Sequence, residues 1–112
     1  MQFNPLLPIT MTASGAVTAE RFVTAAGAQV GTAGVAAIGV SRATAASGEK
    51  MTVDTYGTAI IESGGSISLG AAVKSGADGR ALTYDTGVKA GIALQASTGA
   101  GQRIEILLLP SA

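Results

Sequence analysis

A chain of 112 residues with no cysteine, histidine or tryptophan, in which seven basic and seven acidic side chains cancel, is long enough for one compact domain with a core of mostly small aliphatic residues. Its charges are scattered singly, without the Lys/Arg clusters that displace counterions from nucleic acid or anionic lipid, so neither partner is expected. Without imidazole or thiol the commonest general base, metal ligand and nucleophile are missing together, and no cofactor, metal or small-molecule substrate is expected.

Residues 1–13, MQFNPLLPITMTA, read as an extended N-terminal arm ahead of a β-rich domain over residues 14–112. Pro5 and Pro8 fix their own φ and push Asn4 and Leu7 toward extended conformations. Two missing backbone donors confine the segment to an edge. Phe3, Leu6, Leu7 and Ile9 lie close together there, either folded back on the domain's own core or docked on a neighbouring subunit. With the two prolines they form the first candidate protein-binding segment. No basic stretch precedes these apolar residues, and no run of eighteen apolar residues occurs, so neither a secretion signal nor a spanning helix is expected, and the protein is expected to be soluble and made in the cytoplasm.

From Ser14 onward, turn residues recur about every eight to twelve positions and separate short runs rich in Val, Ile, Thr and Leu, the spacing of a small β-barrel or β-sandwich. Ala16–Thr24 is the one helical possibility, and its β-branched Val17, Thr18, Val23 and Thr24 favour strand or loop at least equally. Lys50–Tyr56 alternates, Met51 and Val53 toward a core and Thr52 and Asp54 toward water. Ser66–Leu69 alternates in the same way. Ala71–Lys74 and Arg80–Tyr84 flank a turn in which Asp78-Gly79 supplies the positive φ of a hairpin. In Arg103–Leu109, Ile104, Ile106 and Leu108 share a core face, while Leu107 and Leu109 make the opposite face apolar and mark a possible interface strand.

A faint duplication is visible. Ala37–Thr55 can be laid over Gly91–Leu108 if one loop residue is dropped, which matches Gly48, Lys50, Met51 and Val53 with Gly101, Arg103, Ile104 and Ile106. Two equivalent hairpins would follow.

Little in the chain carries chemistry. No Gly-Lys dipeptide occurs among the many glycines, which excludes a P-loop, and Asp78 and Asp85 read as solvated turn residues. Lys50, with Glu62–Val73 downstream, has a slight likeness to the modified lysine of a biotinyl or lipoyl carrier domain. A generic β-rich adhesion module is the other rival reading.

Taken together, the Gly39-Val40-Ser41-Arg42 run with its small-residue loop, the Ala77-Asp78-Gly79-Arg80-Ala81 hairpin and the terminal Gly101-Gln102-Arg103-Ile104-Glu105-Ile106-Leu107-Leu108 run resemble a family of tailed-phage capsid cement, or decoration, proteins. The similarity spans nearly the whole chain. It implies a non-enzymatic, β-rich virion subunit, made in the bacterial host's cytoplasm and added to the outer surface of the head. There it would bind the major capsid protein and stabilise contacts between its copies, commonly as a homotrimer. Some members carry a recombinase label, against which the missing P-loop argues independently.

Overall fold

A computed structural model of the chain describes residues 3–108. Its strands are β1 Pro8–Thr12, β2 Phe22–Val23, β3 Gly39–Ser41, β4 Lys50–Asp54, β5 Thr58–Glu62, β6 Ala72–Ser75, β7 Ala81–Thr83, β8 Gly91–Ala93 and β9 Arg103–Leu108. They form two antiparallel sheets, ordered β1-β4-β3-β2 and β5-β9-β8-β6-β7. No helix occurs among the described residues, and the sheets do not close on each other. The all-β expectation therefore holds in its two-sheet, sandwich form rather than as a barrel.

Alternation predicts most of these elements. Met51 and Val53 are buried on one face of β4. Asp54, expected to meet water, is buried as well, because the Arg42 guanidinium grips both its oxygens, Nη2 to Oδ1 at 2.7 Å and Nε to Oδ2 at 3.2 Å. β6 and β7 form the expected hairpin, closed by hydrogen bonds from Gly76 N to Arg80 O and from Gly79 N to Gly76 O. Ile104, Ile106 and Leu108 line the buried face of β9, whose opposite face is mixed: Glu105 is buried and Leu107 half-open. Ala16–Thr24 is not helical. Glu20 sits at φ 64°, incompatible with a continuing right-handed helix, and Phe22–Val23 pairs with Val40 and Gly39 as β2. Ser66–Leu69 is not a strand either. Between Gly64-Gly65 and Gly70, only Ile67 makes a β-bridge, to Ser97.

The duplication runs much deeper than the hairpins. Every pairing of the first sheet has a counterpart in the second: Ile9 opposite Val53 matches Ala59 opposite Ile106, Val40 opposite Asp54 matches Ile92 opposite Leu107, and Val23 opposite Gly39 matches Val73 opposite Gly91. The bridge from Val17 to Ala45 matches that from Ile67 to Ser97. Residues 8–54 and 58–107 are thus two copies of one unit, and β7 of the second answers in the first to the single bridge from Val23 to Gln29, with Val30 N to Phe22 O matching Tyr84 N to Ala72 O. These pairings set Gly39 over Gly91, where the sequence match had set Ala37, and the second loop is longer by one residue rather than shorter. A side chain at either glycine would run into a carbonyl of the neighbouring strand, Asp54 O or Leu107 O, so both copies need glycine there. A buried polar exchange beside the strands is among the differences between the halves. Where the first buries Ala13 and Ala45, the second buries Ser63 and Ser97, hydroxyl to hydroxyl at 2.7 Å.

The copies stack through unlike faces. The inner face of the first sheet, with Val23, Met51 and Val53 and the flanking Ile9 and Met11, packs on its own loop residues Val17 and Ala45 as a small separate core. Phe22 and Val40 project from the opposite, outer face. They join Val30 and the inner face of the second sheet, including Ala59, Ile61, Ile104 and Ile106, in the main core.

Candidate interaction surface

The N-terminal segment is extended, as its prolines require, and lies along the link between the two copies. Asn4 N donates to Thr58 Oγ1 at 2.7 Å, Thr58 N to Asn4 O at 3.1 Å, Leu6 N to Tyr56 O at 3.0 Å and Thr55 N to Leu7 O at 3.1 Å. Pro5 bridges to Gly57, and Pro8 opens β1 opposite Asp54. Phe3 lies over the Arg42 guanidinium, 5.1 Å from ring centre to the guanidinium carbon, so the segment is fastened at its start by a cation–π contact.

Its apolar side chains part company. Ile9 packs against the small core, whereas Leu6 is 77 % and Leu7 50 % exposed. Tyr56, also 50 % exposed, and Ile38, 38 % exposed, stand with Leu7. Leu7, Ile9, Ala25, Ala36, Ala37, Ile38, Thr55 and Tyr56 enclose an open groove of about 490 Å³ without a charged residue in its wall. Large apolar side chains left together in water mark a contact surface. Leu107 is 37 % exposed on the outer face of β9, away from the groove-lining set, and Leu109 lies outside the described residues.

Composition singled out Leu6, Leu7 and Ile9 but missed Ile38 and Tyr56. The run Val35-Ala36-Ala37-Ile38 between Gly34 and Gly39 reads equally well as a buried strand, and a lone tyrosine before a glycine carries no pattern.

Polar groups are mostly turned toward one another. A smaller cleft of about 180 Å³ holds Glu20, Arg42, Asp54 and Arg103. Hydrogen bonds that Arg42 donates to Asp54 raise its pKa, and those that Arg103 donates to Glu20 raise that of Arg103, further above the ordinary arginine range. Glu62 bridges Arg21 and Arg80, each at 3.2 Å. Lys50 does not stand at a hairpin tip. It opens β4, and its Nζ donates to Thr12 Oγ1 at 2.6 Å. Among the described residues no group of three or more acidic side chains gathers as a metal site.

Fold and surface define a small all-β module with an open apolar groove and with charges largely engaged within the chain. The chain belongs to the phage cement protein family, structural proteins of the phage head, whose sequence profile matches residues 1–108. Among solved structures it is similar to the head fiber gp8.5 N base of bacteriophage phi29, with 20% identity, 94% of this chain and 95% of that chain covered, and a TM-score of 0.74. At that identity the likeness is one of fold. No sequence among curated proteins matches.

Proposed function

We propose that this chain is a non-enzymatic cement subunit that binds the outer surface of a phage head, contacts the major capsid protein and stabilises the junctions between its copies. Membership of the cement family supports the reading, and one observation on the chain itself carries it: the exposed apolar surface at Leu6 and Leu7, beside Phe3. In this reading residues 1–13 are the contact arm, with Pro8–Thr12 doubling as an edge strand of the first sheet, and residues 14–112 form the capsid-binding β-rich body. Each such side chain contributes about 1.5–3 kcal/mol when fully buried, before ordering costs. Individually weak contacts add up when a subunit engages several neighbours of a lattice at once. Trimers at threefold points of that lattice are the arrangement the family resemblance implies.

The test is co-sedimentation with undecorated heads. Wild-type protein is expected to pellet with them, and Leu6→Asp, at a side chain already in water, is expected to lower occupancy about tenfold or more with an unchanged β-sheet circular dichroism spectrum. Folded wild-type protein that stays in the supernatant would overturn the proposal.

A further inference from the structure

The two copies of the unit meet through unlike faces, and each has one such face left over. In the second half, Ala59, Ala90 and Leu108 are at most 6% exposed, in the core that Phe22 and Val40 of the first half complete. Their counterparts in the first half are Ile9, Ile38 and Thr55, which the matching hydrogen bonds Ile38 N to Val23 O and Ala90 N to Val73 O, and Thr55 N to Leu7 O and Leu108 N to Gly57 O, put in register. Those three line the open groove. The counterparts of Phe22 and Val40 are Ala72 and Ile92, with Leu107 at the position of Asp54. None of these three is fully buried. Among the described residues, nothing fills the receiving face of the first half or covers the inserting face of the second.

We infer that copies of this chain join head to tail, the outer face of the second sheet of one copy, centred on Ile92 and Leu107, seating on the groove beside Ile38 and Tyr56 of the next. The contact continues between copies the interface that the halves make within a copy, which is why a second copy is its occupant. Charge agrees. The groove wall is uncharged, and the charged residues on the inserting face nearest Leu107 and Ile92, Glu105 and Lys74, are already buried, Lys74 in an ion pair with Asp85, so docking leaves no new charge without a partner. Because it joins unlike surfaces, the contact is heterologous and generates a ring or an open chain. The inference deepens the self-association in the proposed function and is separate from head binding through Leu6.

Sedimentation velocity on wild type, Leu107→Arg and Ile38→Arg tests it. Wild type is expected to associate with rising concentration. Each variant alone should stay monomeric, with an association at least about tenfold weaker. Mixing the two variants should restore association but stop at dimers, because Leu107→Arg keeps an intact groove and Ile38→Arg keeps an intact inserting face. Should either arginine disturb the fold by circular dichroism, Leu107→Ser and Ile38→Ser replace them with the same expectation. Wild type that is monomeric throughout, a Leu107 variant that associates like wild type, or a mixture no better than its parts would each overturn the inference. Sedimentation with heads, run in parallel, separates the two proposals: monomers that bind heads remove only the head-to-tail contact, and associating protein that ignores heads removes only the capsid reading.

Discussion

Glu20 is where the two copies solve one backbone problem with different residues. Its φ of 64° falls where Gly70, its counterpart, sits at 83°, a region that disfavours a side chain by about 1–2 kcal/mol. Glu20 N donates to Ser41 O, its carbonyl accepts from Glu62 N, and its carboxylate takes Arg103 Nε at 2.8 and 2.9 Å. One strained residue thus ties the first half to β5 and β9 of the second. Glu20→Ala keeps the strain and loses the carboxylate, whereas Glu20→Gly loses the carboxylate but relieves the strain. The alanine variant should be the less stable of the two by about 1 kcal/mol in urea denaturation; equal midpoints would show that the loop relaxes out of the left-handed region. None of this is legible in the sequence, where Glu20 is one charge in an alanine-rich run. Asp54 teaches the same lesson: alternation points it to water, and only the fold brings Arg42 alongside to make burial tolerable.

At the scale of elements, pattern succeeded where a physical cause acts locally. Apolar alternation located β4 and β9, Asp-Gly located the β6–β7 hairpin, and two prolines placed the N-terminal segment in an extended, edge conformation. It failed at Ser66–Leu69, whose alternation is real but whose glycine-rich flanks leave room for a single bridge. Gly39 and Gly91 show how a packing constraint can hide in composition, since nothing distinguishes them from fourteen other glycines in the chain until β3 and β8 lie against their neighbours. Gly39→Ala and Gly91→Ala should each lower stability by about 1–3 kcal/mol, because the obstacle is a backbone carbonyl that cannot rotate away. Thermal unfolding of the two variants should give similar losses; a silent variant would break the equivalence of the two units.

For the whole molecule, the all-β class and the cement-family likeness were readable from short runs spread along the chain. The groove was not, because Ile38 and Tyr56 meet Leu7 only through tertiary structure. The depth of the duplication was hidden too. Over Pro8–Val23 and Thr58–Val73, only Gly15 and Val23 face identical residues, Gly65 and Val73. Ion pairs across the molecule set its response to acid. Burial pulls the Asp78 carboxyl upward, but the Arg80 amide and guanidinium outweigh it and hold the group below the usual carboxylate range. Asp85 is held low by Lys74 and by the Thr86 amide. A depressed folded-state pKa means stability that is fully present above the unfolded value, about pH 4, and is lost as pH falls through the folded value. The urea midpoint should therefore be flat from neutrality to about pH 5 and decline below about pH 4, less steeply in Asp78→Asn and Asp85→Asn; identical acid profiles for the variants and wild type would rule out these carboxylates as the cause.

A repeated framework also offers the folding chain wrong partners. β1 could meet β9 in the register it uses with β4, and β5 could meet β4 in the register it uses with β9, since the backbone geometry of the two ladders is the same. Side chains have to tell the pairings apart. A β5–β4 mispairing would set Ser63 beside Ala45 instead of Ser97 and take a hydroxyl out of water without its partner, a penalty of about 1–3 kcal/mol. The Ser63–Ser97 hydrogen bond thereby acts as a partner key, one that disfavours a strand of equivalent backbone geometry but different side chains.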